Sequence, residues 1–208
     1  GFAEQSHIEN NEITISGAGV RVANYANIVM HYNLVNSGNT ALEIHDNAGG
    51  LFSNNTFVGE SSGTGIYVYD TGSELNIYNN IFTGFSQGLN IQIDLSNIRY
   101  NNIWGNSGND FSGEGLPPFF GSIQAENLNG DPSDLYGNIF MDPQFALPDS
   151  GNYNLQSISP CINAGNPDLD NDGISWEEDT DDQDPDGTAM DIGAFYRDIA
   201  DTTDVFGC

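Results

Sequence analysis

Two short loops near the C-terminal end of the sequence alternate aspartate with other residues and end in glycine. The first has aspartate at positions 168, 170 and 172 before Gly173, and the second has it at 182, 184 and 186 before Gly187. Calcium takes six to eight oxygen ligands at about 2.3–2.6 Å, and a tight loop can turn alternate carboxylates toward one ion while glycine permits the bend. The spacing therefore predicts calcium as a cofactor.

The predicted ligands are seven aspartates of this acidic segment. They are Asp168, Asp170, Asp172, Asp179, Asp182, Asp184 and Asp186. Fourteen of the thirty acidic residues lie between positions 166 and 208, so without a cation the segment would repel itself. A solvated acidic tail is the alternative. The ninth position of the first loop is Trp176 and the twelfth is an aspartate instead of glutamate, so the loop resembles those of thrombospondin-type repeats more than helix-loop-helix calcium sites.

Tyrosine and histidine side chains at alternating, outward-facing positions form a second set of candidate residues. Tyr67 and Tyr69 share one short segment, and His31 and Tyr78 lie in two others. Aromatic rings stack on the faces of sugars while polar neighbours hydrogen-bond to hydroxyl groups. We therefore predict that these four residues bind carbohydrate, with an ordinary solvated sheet face as the alternative.

Candidates for catalysis are few. A β-eliminating lyase needs a base, and in a chain without lysine Arg21 and Arg99 are the cations available in the repetitive region. A glycosidase needs two carboxylates about 5–10 Å apart, of which Glu43 is one conceivable member, with His45 nearby in sequence. These four residues are weak candidates, and we assign no catalytic residue.

The elements that must position these residues are repeats. An asparagine recurs at positions 11, 33, 55, 80 and 102, a spacing of about 22 residues. An apolar column follows it by two residues, ending at Trp104, and another precedes it by three residues, interrupted by Arg99. A unit this short cannot bury its own apolar face, so neighbouring units must stack. The period predicts an all-β solenoid with an asparagine at each corner.

The pattern Ile-x-Asn-Asn-x-Phe, as at positions 77–82, resembles the right-handed parallel β-helix repeat of pectate-lyase-like proteins over about residues 5–110. That resemblance implies the fold but leaves function open, because the family includes lyases, hydrolases, epimerases, phage tailspikes and noncatalytic surface proteins. Residues 138–196, with Asp191-Ile-Gly-Ala-Phe195, resemble the closing segment of secreted bacterial β-helix proteins. Residues 205–208 resemble the start of a cysteine-rich repeat in surface proteins of marine Bacteroidetes, which implies a secreted or cell-surface location.

The charge balance restricts the partners. The chain has three arginines, no lysine and a formal net charge of -27, which excludes nucleic acid and anionic membrane surfaces, because both need basic residues. No apolar run is long enough to span a bilayer, so membrane insertion is not expected. Cys161 is expected to be a small buried side chain, with a disulfide to Cys208 as the alternative.

We therefore predict three parts. Residues 1–165 form the parallel β-helix with a long excursion near 106–135, residues 166–200 form the calcium-binding closing segment, and residues 201–208 begin a linker or a truncated module. The closing segment is expected to cap the open edge of the solenoid. The predicted function is a noncatalytic extracellular module that contacts polysaccharide as a monomeric fragment of a larger chain. The alternative is the C-terminal part of a polysaccharide lyase or glycoside hydrolase.

Overall fold

The computed structural model describes residues 6–70, 75–93, 97–198 and 200. Short strands in residues 6–112 wind into five coils, each with three strands. The first coil contains β1 (Ser6–Glu9), β2 (Glu12–Ile15) and β3 (Val20–Val22), and the second contains β4 (Asn27–His31), β5 (Leu34–Ser37) and β6 (Leu42–Ile44). The third contains β7 (Gly49–Ser53), β8 (Thr56–Gly59) and β9 (Thr64–Val68). The fourth contains β10 (Leu75–Tyr78), β11 (Ile81–Thr83) and β12 (Gln87–Ile91), and the fifth contains β13 (Ile98–Arg99), β14 (Asn102–Trp104) and β15 (Asn109–Ser112).

Equivalent strands of successive coils pair in parallel, so the coils stack into a solenoid with three long faces in the described residues. Sheet 1 runs β1-β4-β7-β10-β13, sheet 2 runs β2-β5-β8-β11-β14, and sheet 3 runs β3-β6-β9-β12-β15. The prediction of an all-β parallel solenoid with coils of about 22 residues is confirmed.

The interior is filled by one apolar side chain above another because the register keeps equivalent positions in line. Phe57 and Phe82 stack with ring centroids 5.1 Å apart and an interplanar angle of 3°. On sheet 1, Met30, Phe52 and Ile77 are fully buried in the same column. The apolar side chains of one coil are buried only when the coils above and below cover them, so the core is formed by the whole stack.

A ladder of asparagine amides holds the corner between sheets 1 and 2. Each side-chain Nδ2 donates to the Oδ1 of the next rung at 2.9–3.0 Å. The rungs are Asn11, Asn33, Asn55, Asn80, Asn101 and Asn138. The last amide donates to the buried carboxylate of Asp134 at 3.2 Å. The positive end of a row of aligned amide dipoles therefore meets a negative charge.

The fifth coil corrects the predicted register. Its ladder position is Asn101, 21 residues after Asn80, and not Asn102. Consequently Ile98 continues the inward column of sheet 1 and is fully buried, while Arg99 faces outward. A shift of one residue moves a side chain to the other face of a sheet, so Trp104 also faces outward, with 41% of its surface exposed.

The excursion begins later than predicted and closes the C-terminal end of the solenoid. Residues 109–112 are still strand β15, and Phe120 packs beyond it, edge-on to Phe111 with centroids 5.0 Å apart. A two-stranded ribbon follows, formed by β16 (Ala125–Glu126) and β17 (Pro132–Ser133). The chain then returns as a partial sixth rung, in which the N–H of Ile139 donates to the carbonyl of Asn101.

Residues 145–198, which include most of the predicted closing segment and are called the closing segment from here on, lie along the side of the solenoid. Within residues 166–198 the N–H of Asn166 donates to Asn79 Oδ1 at 2.8 Å and that of Ala194 to the hydroxyl of Thr56 at 2.9 Å, so the prediction that this segment caps the open edge is wrong. Strands β18 (Phe145–Leu147) and β19 (Asn152–Leu155) form a hairpin around a 3-10 turn at Pro148–Ser150, and a second 3-10 turn spans Thr180–Asp182. Tyr153 packs on Leu34 and Val58, which point outward from sheet 2. These outward apolar side chains require a cover, and the closing segment supplies it.

Candidate functional site

Three of the seven predicted calcium ligands come together. The carboxylates of Asp168, Asp170 and Asp182 each offer an oxygen within 4.8 Å of the others. Asp182 lies on the second 3-10 turn and is 2% exposed, whereas Asp170 is exposed on the first loop. The first loop folds around its own side chains, since the N–H of Asp172 donates to Asp170 Oδ1 at 3.1 Å.

In two of these carboxylates one oxygen accepts a hydrogen bond and the other has no hydrogen-bond partner. Asp182 Oδ1 accepts the N–H of Leu169 at 2.6 Å, and Asp168 Oδ2 accepts the N–H of Gly173 at 3.2 Å. The other oxygens, Asp182 Oδ2 and Asp168 Oδ1, are buried without a hydrogen-bond partner. A buried unpaired carboxylate oxygen is costly unless a cation meets it. Burial first, and then the neighbouring aspartates, raise the pKa of Asp182.

The remaining predicted ligands are not part of this group of three. Asp172 Oδ1 accepts the N–H of Ile174, Asp179 Oδ1 caps the 3-10 turn through the N–H of Asp181, and Asp186 Oδ1 accepts both the N–H and the hydroxyl of Thr188. These bonds shape the backbone of the loops. In the described residues, Asp182 of the second loop thus joins Asp168 and Asp170 of the first loop. The cluster is shared by the two loops, whereas the spacing suggested a separate ion in each loop.

Asp184 pairs with Asp191, a carboxylate not included in the predicted ligand set. Asp184 Oδ2 accepts the N–H of Asp191 at 2.7 Å, and Asp191 in turn accepts the N–H groups of Asn163 and Arg197 at 2.7 Å each. Burial raises both pKa values; the Asp191 charge adds to the rise at Asp184, and the Asp186 charge adds to the rise at Asp191. The pair thus connects the stretches of chain at Asn163, at Asp184 and at Asp191–Arg197. In the sequence Asp191 is marked by its position between the apolar residues Met190 and Ile192, both of which are buried.

A row of aromatic rings lies on the outer face of sheet 3. Tyr67 and Tyr69 stack with centroids 3.9 Å apart and an interplanar angle of 24°, and His45 stacks on Tyr69 at 3.9 Å and 20°. We call these three rings the aromatic row. They come together because Tyr67 and Tyr69 are two residues apart on one face, while the preceding coil places Glu43 and His45 beside them. Tyr69 is 43% exposed, and burial followed by the Glu43 charge raises its pKa.

Three of the four weak catalytic candidates are neighbours. The register pairs Arg21 with Glu43, and His45 Nε2 lies 3.3 Å from Glu43 Oε2. Arg99 lies on sheet 1, a different face of the solenoid. Within the described strands β3, β6, β9 and β12, Glu43 is the only carboxylate.

The other two predicted sugar-binding residues lie on sheet 1, away from the aromatic row. His31 is partly exposed there, next to Glu9. Tyr78 is 5% exposed, and its hydroxyl donates to Asn76 Oδ1 at 3.0 Å. Its ring therefore has little surface to offer a sugar.

A cleft of about 730 Å³ lies between the closing segment and the corner of sheets 1 and 2. Its lining includes Tyr32, Asp184, Phe195 and Tyr196. The Tyr32 hydroxyl lies 3.7 Å from Met190 Sδ, and burial, followed by the Asp184 charge, raises its pKa. The cleft is a second concave surface with aromatic and polar groups.

The family model described as a right-handed β-helix region matches residues 2–82. This part of the chain is therefore similar to right-handed β-helix regions, in agreement with the parallel solenoid of the structure. No curated protein and no solved structure matches the chain. The match covers the first three coils and the fourth up to Phe82, so the acidic segment lies beyond it, while the cleft is lined by residues inside the match, such as Tyr32, and beyond it, such as Asp184.

Cys161 is fully buried in the apolar cluster between sheet 2 and the closing segment. Asn102 Nδ2 lies 3.1 Å from its sulfur, and burial raises the pKa of the thiol to about 12. The thiol is thus kept in its unreactive form. Cys208, the predicted alternative partner, lies outside the described residues, as does the predicted module at 201–208. In the described part of the chain, no helix has the length and apolar character needed to cross a bilayer.

Proposed function

We propose that this protein is a noncatalytic, extracellular β-helix module that binds a neutral polysaccharide on sheet 3 and is stabilised by calcium. The single observation that carries the carbohydrate proposal is the aromatic row of Tyr67, Tyr69 and His45, a stack of rings on the outside of a rigid sheet. A row on a solenoid has no end walls, so it suits a polymer that extends past it.

The polar groups beside the aromatic row suit sugar hydroxyls. Glu43 supplies an acceptor within 3.3 Å of His45, and Arg21 lies next to it in the register. On the other side, Asn90 pairs with Tyr67 in the register and donates to Gln87 Oε1 at 2.8 Å. Tyr69 is stacked between Tyr67 and His45, so a pyranose would lie on the open face of one of the two outer rings while the polar groups bind its hydroxyls, as at other open sugar-binding sites.

The charge of the protein favours a neutral polymer. A net charge of -27 repels polyuronates unless cations intervene. Hydrolysis by a glycosidase uses a pair of carboxylates, whereas Glu43 is the single carboxylate within the described strands β3, β6, β9 and β12. Asp110 lies on the last strand of the sheet, β15, and Asp70, just beyond β9, accepts the N–H of Asn47 at 2.9 Å. These facts support binding without cleavage. The strong acidity and the resemblances at residues 138–196 and 205–208 support an extracellular location.

Calcium is proposed at the cluster of Asp168, Asp170 and Asp182. Two buried, unpartnered carboxylate oxygens point to a hard cation, and oxygen ligands of this kind are those that calcium prefers. The ion would join the first loop to the 3-10 turn at Thr180–Asp182, so its role is structural. It would neutralise carboxylates that otherwise repel one another.

The first test of the carbohydrate proposal is retention of the protein by insoluble and gel-embedded neutral and uronic polysaccharides with calcium present. We expect retention by a neutral polymer, and we expect Tyr67→Ala with Tyr69→Ala to weaken the apparent affinity by roughly 10-fold to 100-fold, about 1.4 kcal/mol for each decade. The control variant is Tyr25→Asn, which removes a ring that is 76% exposed and keeps a residue suited to its φ of 60°.

The same samples are assayed for reducing ends and for unsaturated products. Cleavage of any polymer would replace the binding proposal with the lyase or hydrolase alternative, and substitutions of Arg21, Glu43 and His45 would then separate the two. Retention unchanged in the double variant would reject the aromatic row as the binding surface and direct the search to the cleft beside Tyr32.

A further inference from the structure

Two of the three histidines in the chain meet one glutamate on the outer face of sheet 1. His7 and Glu9 lie two residues apart on β1, and the parallel register places His31 of β4 directly beside Glu9. His31 Nε2 lies 2.7 Å from Glu9 Oε2, and the rings of His7 and His31 have centroids 6.3 Å apart. Each of the three residues offers a ligand atom within 4.8 Å of the other two.

We propose that His7, Glu9 and His31 form a binding site for a divalent transition-metal ion such as zinc. Imidazole nitrogen is a ligand preferred by zinc, copper and nickel, whereas calcium selects oxygen. The chain thus separates two kinds of cation, with an all-oxygen cluster on the closing segment and a nitrogen-rich cluster on the solenoid.

The sheet itself fixes this geometry. Residues two apart on a strand share a face, and in-register neighbours on adjacent strands have close side chains, so three ligands arise from one strand pair. A tetrahedral zinc complex with bonds of about 2.0–2.1 Å places its ligand atoms about 3.4 Å apart, within reach of this group by side-chain rotation. The described backbone needs no rearrangement to close the site.

The surroundings favour a cation with one coordination position left open. Three protein ligands leave the fourth position of zinc for water or for a donor atom of another molecule. His31 has 25% of its side chain exposed and Glu9 has 51%, so solvent reaches the site. The ring of Tyr32, with its centroid 5.1 Å from that of His31, restricts the imidazole. The net charge of -27 raises the local concentration of cations.

His45 provides a natural comparison within the same chain. It also lies near a glutamate, with Nε2 3.3 Å from Glu43 Oε2. It is the one histidine outside the cluster, so no second imidazole joins it, and its ring stacks on Tyr69. Both His31 and His45 therefore lie beside a glutamate, but only the pair of His31 and Glu9 has a second histidine, His7, within reach.

The proposal is tested by titrating the full chain with zinc chloride in saturating calcium, which keeps the aspartate cluster occupied. Calorimetry should give one tight equivalent of zinc. Imidazole resonances in long-range proton–nitrogen spectra should shift for His7 and His31 and stay in place for His45. Each of His7→Gln and His31→Gln should weaken zinc binding by at least about tenfold, the lower end of the loss seen when even an outer partner of a metal ligand is removed.

The matched control is His45→Gln, which should bind zinc as the unmodified chain does. Zinc affinity that is unchanged in His31→Gln, or equal perturbation of all three imidazoles, would overturn the proposal. Circular dichroism of each variant verifies folding, and the exposed position of His7 makes its variant safe to interpret. The site lies on sheet 1 and the aromatic row on sheet 3, so either result is independent of carbohydrate binding.

Discussion

Replacing Asp182 with asparagine should abolish the stabilisation of this protein by calcium. The substitution keeps an oxygen for the N–H of Leu169, now 2.6 Å from Asp182 Oδ1, but it removes the negative charge of a buried ligand. In calcium the unmodified chain should be more stable than Asp182→Asn, and in EDTA this order of stability should reverse. Without a cation the unmodified chain buries an unpaired carboxylate near Asp168 and Asp170, so Asp182→Asn should then be at least as stable as the unmodified chain.

The magnitude follows from mass action. Calcium at 100 times its dissociation constant stabilises the bound form by about 2.7 kcal/mol, and in a chain of this length each 1 kcal/mol shifts the melting temperature by about 2–4 °C. We expect calcium to raise the melting temperature by about 5–11 °C. Fluorescence offers a local readout because Trp176 lies in the segment, with its backbone N–H bonded to the carbonyl of Pro167 at 2.9 Å. Trp104→Phe leaves Trp176 as the sole tryptophan.

The control for lost charge is Asp149→Asn, an exposed acid on the first 3-10 turn. It should retain the full calcium effect. Equal melting temperatures of the unmodified chain in calcium and in EDTA would reject the calcium site, and a full calcium effect in Asp182→Asn would reject this ligand set.

Replacing Asn80 with alanine should destabilise the solenoid more than the same change at Asn11, the exposed end of the asparagine ladder. Asn80 Nδ2 donates to the carbonyls of Phe52 and Tyr78 at 2.8 and 2.7 Å, and its Oδ1 accepts both the N–H and the Nδ2 of Asn55. Alanine removes all of these buried hydrogen bonds and leaves the N–H of Asn55 without the acceptor that Asn80 Oδ1 provides. A buried group that loses its partner costs about 1–3 kcal/mol. We expect the free energy of unfolding to fall by about 3–5 kcal/mol, measured by urea denaturation.

Asn11→Ala is the matched control, because it changes the same residue type on the same ladder. Asn11 is exposed and only donates through its side chain, to the carbonyl of Glu9 and to Asn33 Oδ1. Water can satisfy those acceptors, so the loss should stay below about 1 kcal/mol. If the two variants lost equal stability, burial of the ladder would not be the source of its strength.

The fold was predictable from the sequence because it depends on local, repeated signals. Period-2 alternation tells which side chains point inward, and an asparagine at a fixed spacing marks a corner where positive φ is tolerated. Asn10, Asn54 and Asn79 hold that corner with φ between 51° and 56°. Stacking then follows, since the apolar face of one coil can be buried only by the next.

Register in the fifth coil was not predictable from the spacing. Asn101 and Asn102 are adjacent, and either could occupy the ladder, so the count alone favoured the period of 22. The structure selects Asn101 because this choice buries Ile98 and Ile103 and turns Arg99 and Trp104 outward. The register is decided by how much apolar surface the whole coil buries, so it cannot be predicted from any single residue.

The position of the closing segment is also marked in the sequence, by apolar residues at outward positions of sheet 2. Leu34, Val58 and Ile81 point outward from sheet 2, where a solvated face would carry polar residues. Such an apolar outer column requires a cover. The identity of the cover depends on how a chain of more than fifty residues folds back, with Asn166 and Gly193 donating to Asn79 and Ala194 donating to Thr56.

The sequence by itself therefore determined the solenoid, its coil length, the outward positions of Tyr67 and Tyr69, and the acidic segment, because each follows from residue type and short spacing. Only the tertiary structure decided which carboxylates meet, that His45 joins the aromatic row, and that His7 and His31 share one glutamate. These groupings join residues 12 to 24 positions apart in different coils or loops. Their proximity depends on register and on the path of the chain, which are set by burial of the whole core.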